Sequence, residues 1–268
     1  MRSALLTLAL IAACGSAPRD KDAPLPGEIK KQEESLAVDR KTLKPTDRST
    51  YTVSEADARD FNVIWELFRN RSPDWPRQRD RFVKRGPGAG YLVAGHLLRY
   101  YMQANLRRER AQRDFIRARN EIIALGAPCV PALVDLMILD SIKLPEGERY
   151  YTDDITRRDC IYMLGEIGEP SVDQLFVVLK RKDLGPKGRR FVALALGETR
   201  SPRAYDTLVR LLRTDSSWQV RADAAEALGT LGDRRAIAPL SEAVLKDDDV
   251  AVIKRAGRAR YRLQGRVQ

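Results

Sequence analysis

Apolar residues recur at spacings of three and four between Trp218 and Leu228, where Val220, Ala224, Ala225 and Leu228 line one stripe. Arg221, Asp223 and Glu226 fall off that stripe, so the pattern predicts an amphipathic helix with these three charges towards water. A second apolar period follows at Ile237, Leu240 and Val244, after Gly232-Asp233. That dipeptide suits a stop and a restart, because Gly accepts the backbone angles at a helix end and Asp caps the next start. The prediction is a helical hairpin over 218–245.

The hairpin is repeated. Leu164-Gly165, Leu196-Gly197 and Leu228-Gly229 follow one another at an interval of 32 residues, and a fixed period of this size marks a stack of equivalent units. The first helices are expected at about 157–164, 187–196 and 218–228, and their partners at about 171–179, 202–212 and 235–245. An earlier unit runs from Asn120 through Leu125-Gly126, then Val130, Leu133 and Leu136. Gly126 matches Gly168 at an interval of 42, which places ten extra residues in a loop over 144–154.

Upstream, Tyr91 to Leu98 reads as the second helix of a degenerate unit, with its first helix near 76–85 and Gly86-Pro87-Gly88-Ala89-Gly90 as the turn between them. Phe61, Val63, Ile64, Leu67 and Phe68 read as an N-terminal capping helix. An end unit otherwise exposes its apolar side. At the other end, Val250, Val252, Ile253 and Ala256 open one more first helix, and Arg258, Arg260 and Arg262 turn it into a polar cap. The expected fold class is therefore all-α, an alpha-alpha superhelix, as one continuous domain over 55–265.

The run Val220-Arg221, Ala224-Ala225, Leu228-Gly229, Gly232-Asp233, Leu240 resembles the short bacterial HEAT-like repeats of the phycobilisome-lyase type. The likeness is near-complete over 218–245 and good over 158–212. It implies a HEAT-like solenoid whose ordinary use is to bind other proteins. The lyases that share the repeat act on a tetrapyrrole, but no catalytic pattern of theirs can be placed on these residues.

The N-terminus has a different pattern. Arg2 precedes the apolar run Ala4 to Ala13, which ends at Cys14-Gly15-Ser16. A charged start, a short apolar core and small residues before a cut site are features of a signal peptide, and the run is too short to span a bilayer. Ile11-Ala12-Ala13-Cys14 resembles the lipobox of bacterial lipoproteins. That resemblance implies a signal peptide over 1–13, palmitate-type acylation and a thioether lipid on Cys14, and a membrane anchor. Gly15, where an aspartate would retain the protein at the inner membrane, implies an outer-membrane location facing the periplasm. Residues 14–54, with Pro18, Pro24, Pro26 and Pro45 among mixed charges, are expected to be a flexible tether.

Composition narrows the reading only a little. Apolar residues make up 43 % and charged residues 32 % of the chain, a balance that permits a folded core. The formal charge of +11 would draw any polyanion without selecting one. The basic residues cluster at 77–85, at 107–119, at 180–190 and at 254–266. Were these clusters to share a face they would form an anion-attracting track. Export disfavours nucleic acid as the ligand and leaves anionic lipid, lipopolysaccharide, wall polymer or an acidic protein segment.

Candidate chemistry is sparse. His96 is the only histidine and sits on an apolar stripe, where packing is expected. Cys129 and Cys160 are expected as buried free thiols, with a disulfide left open by the oxidising compartment. Asp247-Asp248-Asp249 suits an inter-repeat cap better than a cation site. No catalytic residue, metal site or cofactor is expected. The leading expectation is a scaffold or adaptor that binds an envelope protein through Tyr150, Tyr151, Arg107, Arg110, Arg113 and Arg117, with Trp75 and Trp218 as further aromatic candidates. The alternative is a binder of polyanionic envelope material. A lyase-like enzyme subunit is the third.

Overall fold

The computed structural model describes residues 54–106, 112–139, 141–143 and 149–265, all within one compact unit, Thr42–Gln268. Twelve α-helices run through the described residues. They are α1 (Glu55–Arg69), α2 (Trp75–Val83), α3 (Pro87–Leu106), α4 (Gln112–Leu125), α5 (Val130–Ile138), α6 (Asp154–Ile167), α7 (Glu169–Leu179), α8 (Pro186–Glu198), α9 (Tyr205–Thr214), α10 (Trp218–Leu231), α11 (Ile237–Lys246) and α12 (Val250–Gly265). The architecture is an all-α helical-repeat solenoid. The first helices α4, α6, α8, α10 and α12 pack side by side in one row, and α5, α7, α9 and α11 follow them as partners. No single described helix is long and apolar enough to cross a membrane.

Local chemistry explains the repeated turn. Gly126, Gly168 and Gly232 hold positive φ values of 71°, 73° and 79° where a first helix gives way to its partner. The same register position in the intervening repeat is Arg200, at φ 52°. An L-residue pays a steric penalty there that glycine avoids. Proline then starts the partner helix or the short 3₁₀ turn before it, at Pro128, Pro170 and Pro202, where its missing N–H costs nothing. In the last full repeat Asp233 takes over, its side chain accepting from the Arg235 N–H.

The Leu-Gly pair has a packing role. A Cβ built on Gly197 would lie 2.7 Å from Cα of Ala227, and one on Gly229 would lie 2.8 Å from Cβ of Ala259. A Cβ on Gly165 would come 2.5 Å from that of Glu198. From α6 onward glycine is thus the contact through which one first helix touches the next at backbone distance, while the leucine before it is buried. Val220, Ala224, Ala225 and Leu228 are all buried, as the stripe predicts.

Three sequence expectations are corrected. Asp223 does not face water: it is 2 % exposed, and Arg221 is also largely covered. The helical period places Asp223 off the α10 stripe, but a neighbouring helix packs on each side of α10, so a single wet face does not exist. Gly86-Pro87-Gly88-Ala89-Gly90 is not a turn over its whole length, since α3 begins at Pro87 with φ preset by its ring. Gly90 lies inside that helix, and its lack of a side chain makes room for Pro128, whose ring stands 3.0 Å from where a Cβ would be. The 144–154 insertion is not all loop. Ser141–Lys143 (β1) and Arg149–Tyr151 (β2) form an antiparallel hairpin pairing Ser141 with Tyr151 and Lys143 with Arg149, and Asp154 already belongs to α6 with Asp153 as its cap.

Candidate interaction surfaces

An arginine ladder ties the array together. Arg189 of α8 and Arg221 of α10 are 32 residues apart, and each grips an aspartate at the end of its own partner helix. Arg189 donates in a fork to Asp215 at 2.8 and 2.9 Å, and Arg221 to Asp247 at the same distances. Side-chain hydrogen bonding to Arg221 holds Asp247 below the usual carboxylate range. Forked, part-buried pairs of this kind fix orientation as well as adding energy.

One register earlier stands Arg157, buried at the start of α6. It donates to the Thr152 carbonyl at 3.1 Å and to the Leu139 carbonyl at 3.1 Å. Thr152 also donates its hydroxyl to Leu139 O. These bonds clamp both ends of the segment that carries β1 and β2. The sequence reading passes over Arg157, although the 32-residue interval back from Arg189 points to it.

A second set of charges crosses from one first helix to the next. Asp223 on α10 accepts from Arg190 of α8 at 2.7 Å and from Arg255 of α12, so one buried carboxylate joins three helices. Arg119 of α4 reaches Glu166 of α6, and Arg262 of α12 reaches Glu226 of α10 at 2.7 Å. On the partner helices, Arg203 bonds Glu169 and Asp173 one repeat back, and Arg213 bonds Glu242 one repeat forward. Upstream, Arg79 bonds Glu121, and Arg85 bonds Asp57 and Asp60. Much of the basic residue pattern is therefore consumed inside the fold.

The expected contact residues are dispersed. Cys14, Arg107 and Arg110 lie outside the described residues. Tyr150 and Tyr151 stand on β2, where their backbones pair with Ile142 and Ser141 of β1. Arg113 is exposed on α4, whereas Arg117 is committed to the fold. Its guanidinium donates to Phe68 O at 2.6 Å and lies 4.0 Å above the Phe68 ring, and burial lowers its pKa. Trp75 is not a contact residue: it is buried, with its indole N–H on Glu121 at 2.7 Å. Trp218 keeps part of its ring at the surface.

Residues of chemical interest are used for packing. His96 rests on the rings of Phe61 and Trp65, 4.7 and 5.3 Å away, and burial with the Arg99 charge lowers its pKa to about 4. Cys129 and Cys160 are free and buried, and burial pushes both thiols up. Tyr101 is buried and donates to Asp159 at 2.8 Å. Asp249 caps α12 through the Ala251 N–H. Among the described residues no group of His, Cys, Asp and Glu is placed to hold a metal ion. Two surface grooves lie along the first-helix row. One, of about 360 Å³, is lined by Tyr162, Gly165, Glu166, Glu198, Thr199 and Arg200. In it Glu198 is half-buried, and desolvation raises its pKa. The other groove adjoins α12.

Stacked helical hairpins joined by side-chain ladders define the class, an α-solenoid. The particular repeat follows from comparison: the family model for HEAT repeats matches residues 151–224 and, in an overlapping placement, residues 172–259. These segments are similar to HEAT repeats. A search of curated proteins returned no match.

Proposed function

We propose that this chain is a non-enzymatic scaffold of the bacterial cell envelope, tethered through a lipid on Cys14, that presents its helical-repeat surface to a protein partner. The supporting observation is the continuous row of first helices from α4 to α12, joined across repeats by Arg119 with Glu166, by Asp223 with Arg190 and Arg255, and by Arg262 with Glu226. Such surfaces bind by shape over a wide area. The lone histidine and both described thiols sit in packing roles, which also favours binding over catalysis. The strands 141–143 and 149–151, whose flanking carbonyls at Leu139 and Thr152 are held by Arg157, add a β-element to the helical array. The polyanion alternative is less well supported, because Arg79, Arg85, Arg119, Arg189, Arg190 and Arg262 already have carboxylate partners.

The anchor and the scaffold are tested separately. Cells expressing the wild-type chain should incorporate radioactive palmitate into it, and Cys14→Ser cells should not; equal labelling would remove the anchor from the proposal. Mature Cys14→Ser protein, immobilised and exposed to envelope extract, should retain one protein in stoichiometric amount after a salt wash. Retention only of lipopolysaccharide or wall fragments, released by salt, would favour the polyanion alternative.

A further inference from the structure

We propose that a groove between α7 and α9, inside the array, receives an acidic side chain of the protein partner, a role that rests on the scaffold reading above. The groove is lined by Phe176, Leu179, Lys180, Thr207 and Arg210 and has a volume of about 210 Å³. Phe176 and Leu179 are half-buried against the core and supply an apolar wall. Lys180 and Arg210 are exposed. Val177, 59 % exposed, stands beside Phe176 on α7.

The next repeat shows what sets this groove apart. Buried Leu175 and Val178 of α7 match buried Leu208 and Leu211 of α9 at an interval of 33, and these match Leu240 and Ala243 of α11 at an interval of 32. In that register Lys180 corresponds to Arg213, and Arg210 to Glu242. Arg213 donates to Glu242 at 2.8 Å across the α9–α11 boundary. Across α7–α9 the same two places hold two cations. Like charges brought to one groove repel, and an anion between them turns the repulsion into attraction. Among the described residues neither Lys180 nor Arg210 makes an ion pair, although Asp206 lies one turn before Arg210 on α9. The other carboxylates nearby are taken. Arg203, whose guanidinium lies 5.8 Å from the Phe176 ring, holds Glu169 and Asp173, while Arg181 holds Asp183. A cation at the C-cap of α7 also suits the helix dipole, which accounts for Lys180 but not for Arg210 inside α9.

Size and chemistry select the occupant. Pockets for whole small molecules run to roughly 300–1,000 Å³, so this smaller groove suits a single side chain. The template within the chain is the Glu242 carboxylate, carried on helix α11. A partner's glutamate or aspartate flanked by apolar residues would set its carboxylate between Lys180 and Arg210 and lay its neighbours on Phe176, Leu179 and Val177. Charge-assisted hydrogen bonds from both cations, beside apolar surface, give such a contact strength and a fixed register.

The test uses mature protein with Cys14→Ser and a fluorescein-labelled amphipathic peptide of Leu and Glu, beside its Leu and Gln counterpart. Binding is followed by anisotropy. The Glu peptide should bind at least about tenfold more tightly than the Gln peptide, and Lys180→Gln with Arg210→Gln should remove that advantage. Arg77→Gln with Arg81→Gln, which takes the same charge from exposed positions on α2, should change binding less than about twofold. Melting curves of both variants should match that of the parent protein, which separates lost binding from lost folding. No binding of the Glu peptide, equal binding of both peptides, or equal loss in both variants would overturn the proposal. So would binding to phosphatidylglycerol vesicles that needs Lys180 and Arg210 when the peptide does not bind. A photo-crosslinker in cells at Val177, and separately at exposed Tyr162 on α6, then distinguishes the two levels. One protein trapped from 177 and lost with Lys180→Gln and Arg210→Gln supports the inference. Trapping from 162 alone overturns it but leaves the scaffold intact, and trapping from neither position removes both.

Discussion

The two ends of the described chain solve the same packing problem with opposite side chains. From α1 to α3 the helices are held apart by rings. Trp65 stacks on Phe68 at 4.7 Å, Phe68 meets Trp75 and Tyr100 at 5.1 Å, and Phe61 meets Phe82 at 5.6 Å. From α8 to α12 the helices touch through Gly197, Ala227, Gly229 and Ala259. Rings bury a large area per residue and fit irregular gaps, so the sequence that encodes them need not repeat. Backbone contact tolerates no added atom, so it demands small residues at a fixed interval. That difference accounts for where the HEAT-repeat match falls, on 151–259, while the aromatic region builds helices without the signature.

The contrast makes quantitative predictions. The largest effect is expected from Phe68→Ala, which empties the centre of the aromatic cluster and removes the ring under Arg117; about 4 kcal/mol of stability should be lost in urea unfolding. Gly197→Leu should cost about 3 kcal/mol for the converse reason, because the new side chain must displace α10 at Ala227. A loss under 1 kcal/mol for Gly197→Leu would break the comparison.

His96 sharpens it through pH. Its folded pKa of about 4 lies below the ordinary 6.5, so the unfolded chain takes up the proton first. Stability should therefore be constant above pH 6.5 and fall as the pH drops from 6.5 towards 4. Carboxylates held low by arginines, such as Asp233 and Asp247, keep their contribution until the pH falls below about 4. The loss between pH 6.5 and pH 5 should be on the order of 1 kcal/mol after allowing for partial exposure. His96→Gln should abolish it, and an unchanged slope would show that the ring cluster admits the charged imidazole.

The smallest effect concerns the turn at Arg200, the one member of its register series that is not glycine. Arg200→Gly relieves the left-handed strain but loosens the unfolded chain, for a net gain of about 0.5 kcal/mol. The melting temperature should rise by roughly 1–2 °C.

The repeat is legible from the order of residues alone, because three constraints leave marks at fixed positions: a glycine at each close approach, a glycine or its substitute at each turn, and a buried leucine beside the first. Gly165, Gly197 and Gly229, with Gly126, Gly168 and Gly232, therefore place the hairpins within a few residues of where they are. The sequence also implied that a basic chain needs a destination for its charges. Where those charges go is set by how the helices stack. Whether Asp223 faces water or two arginines depends on helices 33 residues before and 32 after it in the chain. Helical period assigns an outer face from one helix alone, and in a stacked row that face belongs to the neighbours. The same holds for Arg117 and Trp75, whose types suggest contact with a partner until Phe68 and Glu121 are seen to hold them.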